Sequence, residues 1–488
     1  MKKSLLIFFI LLVSRLSFAQ NYNPISDDLY VDTKGITNVI NINDHIGIVQ
    51  VNNSNDNFEL LALDEKMNIL WRTTINGYGV QIGRFKDKIA VVAATEHTTF
   101  KGNGNTYKGF IIDPTNGKTL VEKIIYDDNN DYIEFPTVLI GDNYFKFCIR
   151  QTYATRKMHV GIPIFFVFQM SSWDKEVVQT QKLEITDFNE QLEKINTVKP
   201  VVNGTFIKVT CNDNADMFVS MLNGPDIEVY KYNAGQNSPS AQLDADVAIK
   251  PNSNGSLSSK IMFTTSKNKP NDLYYTLMYL NENKDPELMV GKMDFASKTK
   301  NSITQAFKRS DIKALEKTFV PVNKKLEDPD IGSPKSLEIK NFVKADNKVI
   351  VTLGGEYLYT SNYGSYVEGM SLLINAYDDN LQSKFQQFLP TNYRYPGKSL
   401  TAGFHIINNK MYVAGNTKKG SGTVGVYGVL DLGSGQWDSM DFLIKKDIKG
   451  YLDADDILWY GKGFITPYMQ AHGMFGVKYN LGFQQNDY

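Results

Sequence analysis

One short acidic stretch of the chain has the spacing of a metal-binding loop. Residues 127–132, DDNNDY, place Asp, Asn and Asp at alternate positions, as in loops that ligate calcium through side-chain oxygens. Such a loop also needs Gly at its sixth position and Glu at its twelfth, where this chain has Tyr132 and Val138. We therefore predict a polar loop there, solvated turns at 327–330 (EDPD) and 453–456 (DADD), and no bound metal.

The residues that usually carry acid–base or nucleophilic chemistry form no recognisable motif. None of the five histidines has metal-ligand spacing to another; they are His45, His97, His159, His405 and His472. No Gly-x-Ser-x-Gly elbow and no Gly-x4-Gly-Lys phosphate loop is present in the sequence. Paired carboxylates for glycoside hydrolysis stay open, because only the fold brings such a pair together.

Tyrosines are concentrated in two neighbouring stretches. Residues 354–369 (GGEYLYTSNYGSYVEG) and 391–398 (TNYRYPGK) contain six of them: Tyr357, Tyr359, Tyr363, Tyr366, Tyr393 and Tyr395. A tyrosine on a loop offers an apolar ring with a polar tip, which suits a protein or glycan ligand. The flanking Gly, Ser and Asn residues favour exposure of Tyr363 and Tyr366. The alternative is that alternate tyrosines pack between neighbouring sheets.

The two cysteines occur in similar sequence contexts, FKFCI at Cys148 and KVTCN at Cys211. We predict that they lie in equivalent second strands of neighbouring four-stranded units. Buried free thiols are one interpretation, because cysteine behaves as a small hydrophobic residue. A disulfide between the two units is the other, provided that the Cα atoms lie within about 7 Å.

These residues must be positioned by short β-strands. The chain is rich in Tyr, Phe, Val, Ile and Asn, and its alternating apolar segments are separated by Asn, Asp and Gly pairs. One recurring hairpin has a more apolar second strand, as in 41–51 (NINDHIGIVQV), 84–93 (RFKDKIAVVA) and 201–210 (VVNGTFIKVT). A second recurring hairpin closes its first strand on an acidic residue or Asn, as in 60–72 (LLALDEKMNILWR). The two types alternate along the chain.

The alternation predicts units of four strands that recur about every 55 residues, close to the ~40–50 of propeller blades. We therefore expect an all-β fold, a single β-propeller of four-stranded antiparallel blades over 20–488, with a loop insertion at about 303–335. The alternatives are seven blades with an insertion, and unrelated meanders in two sandwich domains. Eight blades are expected at about 28–76, 77–130, 131–186, 196–235, 245–305, 335–392, 399–446 and 453–488.

The stretches 62–72 (ALDEKMNILWR) and 111–123 (IIDPTNGKTLVEK) resemble the quinoprotein-type, or PQQ-like, β-propeller repeat. The resemblance implies structural roles: Trp71 packs flat between adjacent blades, and Asp64 and Asp113 close their strands. Met67 stands where that repeat usually has Gly, and Val121 replaces the tryptophan in the second copy. Catalytic members have an adjacent Cys-Cys pair and a calcium-linked cofactor site. This chain has no adjacent cysteines, so the resemblance implies no cofactor and favours non-catalytic, binding or scaffolding relatives.

The first 19 residues have the pattern of a secretory signal peptide. Lys2 and Lys3 precede the apolar run Leu5–Val13, and Ser17–Ala19 form a small-x-small cleavage site. We expect export to the periplasm, the cell surface or the exterior, with no transmembrane segment. Removing these residues leaves 49 basic against 53 acidic residues, a net charge of −4. With no basic block, nucleic acid is not an expected partner.

Together these patterns predict an exported, non-catalytic β-propeller that binds a protein or glycan ligand through its loops. One alternative is an enzyme that acts on polysaccharide, with carboxylates at the mouth of the central channel. Another is a component of a cell-surface assembly, in which the segment 303–335 docks a partner.

Overall fold

The computed structural model of the 488-residue chain describes twenty-two segments, and all structural statements below refer to them. The predicted leader, residues 1–19, lies outside them, as does Tyr363. The described residues are 22–24, 30–31, 36–52, 56–97, 105–128, 136–153, 156–158, 173–175, 179–202, 204–223, 226–245, 247, 261–281, 283, 285–320, 322–361, 364–396, 399–400, 402–419, 422–443, 451–472 and 478–487.

Two short strands, β1 (Tyr22–Pro24) and β2 (Tyr30–Val31), precede the first four blades. Each of these blades is an antiparallel sheet whose strands pair in chain order, and a separate ribbon, β13 with β14, interrupts blade 3. The strands are, in blade 1, β3 (Ile36–Asn43), β4 (Ile46–Asn52), β5 (Asn57–Leu63) and β6 (Ile69–Asn76); in blade 2, β7 (Tyr78–Phe85), β8 (Lys88–His97), β9 (Asn105–Ile112) and β10 (Thr119–Asp128); in blade 3, β11 (Thr137–Gly141), β12 (Tyr144–Tyr153), β13 (Arg156–Met158), β14 (Trp173–Lys175), β15 (Gln179–Phe188) and β16 (Lys194–Val198); and in blade 4, β17 (Thr205–Cys211), β18 (Met217–Asn223), β19 (Asp226–Tyr232) and β20 (Ala241–Ala245).

The last four blades continue the same pattern, with additions in blade 6 and a divided first strand in blade 8. Blade 5 is β21 (Ile261–Thr265), β22 (Asp272–Leu280), β23 (Pro286–Asp294) and β24 (Thr299–Ala306); helix α1 (Arg309–Thr318) and a 3-10 helix (Pro334–Ser336) follow; blade 6 is β25 (Leu337–Ala345), β26 (Lys348–Ser361), β28 (Leu372–Asp378) and β29 (Ser383–Leu389), with β27 (Gly364–Gly369) and β30 (Tyr393–Pro396) beside β26; blade 7 is β31 (Gly403–Ile407), β32 (Lys410–Lys419), β33 (Gly422–Asp431) and β34 (Gln436–Leu443); and blade 8 is β35 (Tyr451–Leu452), a 3-10 helix (Ala454–Asp456), β36 (Leu458–Trp459), β37 (Gly463–His472) and β38 (Lys478–Asp487).

The eight sheets form a closed ring, an eight-bladed β-propeller. Contacts between first strands, such as β3 with β7, β17 with β21 and β36 with β3, place these strands innermost. Eight apolar clusters lie in the described residues, and each is shared by two successive blades. The cluster that joins blade 8 to blade 1 contains Val49, Leu61, Leu458 and Phe483. The prediction of eight blades is confirmed, and the seven-blade and two-sandwich alternatives are wrong.

The N-terminus completes the last blade. Strand β38 pairs on one side with β37 and on the other with β1 and β2, through registers such as Tyr22↔Gln484 and Tyr30↔Asn480. The outermost strand of blade 8 therefore comes from the opposite end of the chain. Nothing in the sequence pattern of residues 453–488 predicted this partner, because the pairing joins segments about as far apart as the chain allows.

Second strands are buried on both faces, because each lies between two neighbouring sheets. In β4, Ile48, Val49 and Val51 are fully buried although they point alternately to opposite sides. This explains why the middle strands read as unbroken apolar runs and not as alternating ones.

Turns between third and fourth strands share one geometry built on an acidic residue or Asn. In blade 1 the Asp64 carboxylate accepts the N–H groups of Lys66 and Asn68. In blade 2 the Asp113 carboxylate accepts the N–H and hydroxyl of Thr115, which lowers the pKa of Asp113. Asn189, Asp378 and Asp431 bind backbone N–H groups in the same way. These short side chains recur because they satisfy turn N–H groups that no strand reaches.

Each such turn also fastens its blade to the preceding one. Met67, Leu192 and Leu381 adopt positive φ angles of 67°, 55° and 63°, are nearly fully buried, and join the apolar clusters shared with the preceding blades. Met67 thus adopts a left-handed backbone conformation that glycine adopts without strain. Such a conformation costs a non-glycine residue about 1–2 kcal/mol, which burial of a large aliphatic side chain offsets.

The segment 303–335 differs from the exposed loop that the sequence predicted. Strand β24 extends to Ala306, and α1 packs on the cluster between blades 5 and 6 through Ile312. Beyond the helix, Leu326 is buried in the cluster between blades 6 and 7, and Ile331 is fully buried. The Pro- and Lys-rich composition suggested that the segment is exposed to solvent. Apolar residues spaced along it pack instead against blades 5, 6 and 7.

Candidate ligand-binding site

Strand β26 extends beyond its blade and forms a small projecting sheet. Its residues Lys348–Gly355 pair with β25, but its residues Glu356–Ser361 pair with β27, which in turn pairs with β30. We call residues 356–361, 364–369 and 393–396 the hairpin sheet. It leaves blade 6 on the face that carries the connections between second and third strands, which we call the upper face.

One side of the hairpin sheet carries a row of stacked side chains. Tyr357 and Tyr359 alternate along β26 and face Glu368 and Tyr366 across the pair. The rings of Tyr359 and Tyr366 are 5.0 Å apart and nearly parallel, at 17°. The guanidinium carbon of Arg394 lies 3.6 Å from the centroid of the Tyr366 ring. We call Tyr359, Tyr366 and Arg394 the ridge.

Tyr357 anchors this row to the segment below it. Its hydroxyl accepts hydrogen bonds from the Ser333 N–H at 2.5 Å and from the Ser336 hydroxyl at 3.0 Å. Its ring is 6.4 Å from that of Tyr359. Tyr357 is therefore half-buried and structural at the base of the row, whereas Tyr359 is 42% exposed.

The other side of the hairpin sheet packs on the propeller. Tyr393 is 6% exposed, and its hydroxyl accepts from the Leu400 N–H at 2.8 Å and lies 3.1 Å from a carboxylate oxygen of Glu356. Burial raises the pKa of Tyr393. Tyr395 meets Tyr451 of blade 8 edge-on at 4.7 Å. The hairpin sheet thus starts in blade 6 and rests on blade 8.

The six tyrosines therefore do not form one surface. Strand alternation sends Tyr357, Tyr359 and Tyr366 to one side of the hairpin sheet and Tyr393 and Tyr395 to the other. Tyr363 lies outside the described residues. The interpretation of packing tyrosines fits Tyr393 and Tyr395, and that of exposed tyrosines fits Tyr359. Sequence reasoning missed Arg394. Strand alternation was the signal for it: Arg394 lies between Tyr393 and Tyr395 in β30, so it points to the opposite side of the hairpin sheet, next to Tyr366.

A cavity of about 340 Å³ lies at the base of the hairpin sheet, among blades 6, 7 and 8. Its charged lining residues are Lys340 of β25, Glu356 of β26 and Asp455 of the 3-10 helix in blade 8. The DADD stretch differs from the solvated turn that we predicted: Asp453 and Asp456 are 9% and 7% exposed, and Asp455 is the exposed one. The helix carries this stretch inward, because it interrupts the innermost strand of its blade.

The opposite face carries two further depressions. One, of about 410 Å³, is lined by Lys344, Asp346 and His405 among others. His405 stacks on Trp459 at 4.9 Å, and burial lowers its pKa, so the ring is neutral at pH 7. The other, of about 490 Å³, lies between blades 8 and 1 and includes His45 and Glu65. In the second, His45 Nδ1 lies 3.4 Å from a carboxylate oxygen of Glu65, and both side chains are exposed to solvent.

The cysteines are free thiols in the structure. Cys148 is in the second strand of blade 3, as predicted, but Cys211 ends β17, the first strand of blade 4. The predicted hairpin at 201–210 does not form, because Val201 is 62% exposed and Gly204 turns with a φ of +95°. Both thiols belong to the cluster between blades 3 and 4, and burial raises the pKa of each to about 12. Neither is a reactive nucleophile at neutral pH.

Within the described residues, no three or more His, Cys, Asp or Glu side chains converge on a point that a metal ion could occupy. The stretch DDNNDY is described only at Asp127 and Asp128, where β10 ends. No helix in the described part of the chain combines the length and hydropathy that a membrane crossing requires.

Comparison with solved structures finds other propellers at low identity. The WD40 domain of SCAP from fission yeast is 8% identical, with a TM-score of 0.39 over 96% of this chain and 98% of that chain. Chaetomium thermophilum Sqt1 bound to the N-terminus of the ribosomal protein L10 is 10% identical, with a TM-score of 0.42 over 94% and 98%. The β-propeller domain of the Trilobed protease from Pyrococcus furiosus is 8% identical, with a TM-score of 0.39 over 80% and 91%.

No family model matches the chain, and no curated protein does. The likeness to solved structures concerns the fold alone. Functional inference therefore rests on the geometry of the hairpin sheet and its surroundings.

Proposed function

We propose that this β-propeller is an exported binding protein that holds a protein partner through the ridge of Tyr359, Tyr366 and Arg394. The observation that carries the proposal is the stacked row itself, which stands on a sheet that projects beyond the blade. Tyr and Arg are the side chains most enriched where protein interfaces concentrate their binding energy. Packing on blade 8 holds the row in place before a partner arrives, which reduces the entropic cost of binding.

The ring geometry favours a protein over a glycan. A sugar binds an aromatic side chain by lying on its open face, but Tyr366 has Tyr359 on one side and the Arg394 guanidinium on the other. What the ridge presents outward is a line of hydroxyl tips and a guanidinium. Mixed apolar and hydrogen-bonding contacts of this kind suit a polypeptide surface.

Two further parts of the proposal rest on sequence features. Export is supported by the leader pattern of residues 1–19. A quinoprotein-type repeat is supported by the packing of Trp71, whose indole N–H donates to the Pro114 carbonyl of blade 2 at 2.8 Å. That contact is the inter-blade role that the resemblance implies for this residue.

Site-specific photocrosslinking tests the ridge. A photoreactive amino acid at position 368 leaves the ridge intact and lies beside it, because Glu368 faces Tyr357 in β26 and Arg394 in β30. In cells that make the protein, we expect one dominant protein adduct. The adduct should be lost when Tyr366→Ser or Arg394→Ala is added, because removal of one central Tyr or Arg typically weakens an interface by about 2 kcal/mol or more.

The matched control carries the photoreactive group at Leu120, which is 46% exposed on the outer strand β10. It should not give the same adduct. The proposal fails if the adduct persists in both ridge variants, or if the wild-type protein crosslinks only to glycans. A glycan array probed with the same protein provides the second readout.

A second candidate is polysaccharide hydrolysis, because Glu356 and Asp455 line the same cavity near the channel mouth. Turnover of any member of a glycan panel, lost in Asp455→Asn, would support it.

A third candidate is a cell-surface assembly docked through 303–335. It is favoured by Val320 and Val322, which are 80% and 52% exposed. Deletion of that segment would remove Leu326 and Ile331 and uncover the apolar clusters on which they pack, so Val320→Ser with Val322→Ser is the informative variant.

A further inference from the structure

The outer strands of the first three blades share an irregularity near their start. In each of them the strand pairing skips one residue just after the turn between third and fourth strands, which is a β-bulge. The skipped residues are Leu70 in β6, Leu120 in β10 and Ile195 in β16. These three residues therefore occupy equivalent positions in consecutive blades. They lie near the face opposite the hairpin sheet, because the outer strands start there.

All three bulge residues are aliphatic and exposed. The exposed fractions are 46% for Leu70, 46% for Leu120 and 66% for Ile195. Ile69, which is 37% exposed, and Ile124, which is 57% exposed, extend the apolar surface in blades 1 and 2. A single exposed aliphatic side chain is ordinary, but a row of them at one position of successive blades is typical of an interaction surface. We call Leu70, Leu120 and Ile195 the belt.

Charged residues fill the same position in two later blades. Blades 6 and 7 have the corresponding bulges, which hold Lys384 and Asp438. Lys384 pairs with Asp378 at 2.7 Å, and Asp438 pairs with Lys410 at 2.7 Å. These bulge side chains are thus satisfied within their own blades. The bulge therefore does not require an aliphatic residue, and the fold does not explain why blades 1 to 3 have one.

Each residue of the belt has an exposed cation within two positions along the chain. These cations are Arg72, Lys118 and Lys194, and none of them has an ion pair in the part of the chain that the structure describes. The glutamates of the same strands and turns contact other groups: Glu65 contacts His45, Glu122 contacts Lys108, Glu190 contacts Lys86 and Glu193 contacts Lys123. The unmatched charge along the belt is therefore positive, which complements a ligand with acidic side chains.

The curvature of the ring restricts what can cover the belt. Strands β6 and β16 are two blades apart, which is a quarter of a turn around a ring of eight. A flat membrane beside the ring, or the equally convex rim of a second copy, cannot reach both strands at once. A membrane beneath the ring would meet the polar turns before the belt. An added β-strand would need an unbroken edge, which the bulges interrupt. A flexible polypeptide segment can follow the curve and contact all three side chains.

We propose that the belt binds an extended segment of a partner polypeptide that contains both apolar and acidic side chains. The apolar side chains of the segment pack on the belt, and its carboxylates pair with the three cations beside it. The belt is a second interaction surface, because the ridge is on the upper face and the belt is near the opposite one. The proposal goes beyond the proposed function and does not depend on it.

Fluorescence anisotropy with labelled peptides tests the belt. The probes are three peptides of twelve residues, one of alternating Glu and Leu, one of alternating Lys and Leu, and one of alternating Glu and Ser. We expect the protein to bind only the Glu–Leu peptide, and to bind it more weakly as the salt concentration rises. Failure to bind this peptide, or equal binding of either of the others, would overturn the proposal.

Two further measurements test the other occupants. Vesicles of phosphatidylglycerol and phosphatidylcholine should not sediment the protein, and sedimentation velocity should show no dimer that depends on the belt. Sedimentation with vesicles that is lost when the belt is substituted would overturn the proposal in favour of a membrane. A dimer lost on the same substitution would overturn it in favour of a second copy.

Substitution of the exposed aliphatic side chains locates the binding. The belt variant has three changes: Leu70→Ser, Leu120→Ser and Ile195→Ser. It should bind the Glu–Leu peptide about tenfold more weakly or worse, because the apolar area that the peptide buries is lost. The matched control removes three exposed aliphatic side chains elsewhere: Leu280→Ser, Val320→Ser and Val322→Ser. The control should bind as wild type does, and equal affinities of the two variants would overturn the proposal.

A charge variant tests the proposal even if the belt variant does not fold. It has three changes: Arg72→Gln, Lys118→Gln and Lys194→Gln. It should bind the Glu–Leu peptide more weakly and with less dependence on salt. The control removes three exposed charges elsewhere, by Lys317→Gln, Lys324→Gln and Lys325→Gln. Loss of salt dependence in the control alone would overturn the proposal.

The same titration of Tyr366→Ser separates the belt from the ridge. This variant should bind the Glu–Leu peptide as wild type does, because Tyr366 is in the hairpin sheet. Loss of peptide binding in Tyr366→Ser would place the peptide on the ridge and overturn the belt alone. If the ridge crosslinks fail and the peptide still binds, the belt stands without the proposed function.

Discussion

The indole of Trp71 in blade 1 lies directly on the α-carbon of Gly117 in blade 2. A Cβ at position 117 would be 2.5 Å from Cε3 of the indole, and the backbone there has a φ of +71°. The neighbouring Thr73 hydroxyl donates to the Gly117 carbonyl at 2.7 Å. Blades 6 and 7 repeat the arrangement with Phe385 on Gly435, where Gln387 donates to the glycine carbonyl. A large ring on one blade thus requires a glycine in the turn of the next.

Gly117→Ala should destabilise the protein by about 2–5 kcal/mol, the sum of a left-handed backbone cost and overpacking against Trp71. Gly235→Ala is the matched control, since Gly235 has a φ of +74° and nothing within 4 Å of a Cβ. The control should lose only about 1–2 kcal/mol. Urea unfolding of both variants measures the difference, and equal losses would show that the Trp71 contact contributes nothing.

Removal of residues 20–31 should open the ring at blade 8. The deletion takes away β1 and β2 and leaves one edge of β38 without its partner. We expect a lower Tm and faster hydrogen exchange of amides in 478–487, while amides in blade 4 keep their protection. Removal of residues 20–21 alone is the control. Unchanged exchange in β38 would contradict a structural role for the N-terminal strands.

Acid should weaken the turns between third and fourth strands. Hydrogen bonds from Thr115 lower the pKa of Asp113, and hydrogen bonds from Ser434 lower that of Asp431. A carboxylate with a lowered folded-state pKa stabilises the fold above its unfolded pKa of about 3.9 and loses that contribution as pH falls through the folded value. Asp113→Asn with Asp431→Asn should therefore lose less stability than wild type between neutral pH and pH values below about 3.9. Parallel Tm-versus-pH curves for the two proteins would refute this.

The two thiols should be free and slow to react. With the pKa of Cys148 and Cys211 raised to about 12 by burial, little thiolate is present at neutral pH. The intact mass of the unreduced protein should show two thiols, and a thiol reagent should label them quickly only after unfolding. A mass lower by two hydrogens would instead establish the disulfide between blades 3 and 4 as the state of the protein.

Much of the architecture follows from local patterns. Hairpins around residues 41–51 and 84–93 identify their blades because a turn residue and an apolar second strand are adjacent in sequence. The same reasoning misplaced Cys211, since the signal at 201–210 is equally strong for a hairpin and for a loop that enters a strand at Gly204. It could not separate Tyr359 from Tyr393, because their faces depend on how far β26 continues past its partner β25. Nor could it predict that Glu356 and Asp455, which come from blades 6 and 8, line one cavity, because only closure of the ring brings these blades together.

The pairing of β38 with β1 and β2 also sets an order of events. During synthesis β1 and β2 are made early but can pair only at the end, because their partner β38 does not exist until residues 478–487 have been made. The first seven blades can pack on one another while the chain grows, but the ring of blades stays open until blade 8 is complete. In a product that stops short of residue 478, residues 22–24 and 30–31 therefore lack their strand partner. We expect a quality-control protease to cleave this exposed segment in fragments and to spare it in complete molecules.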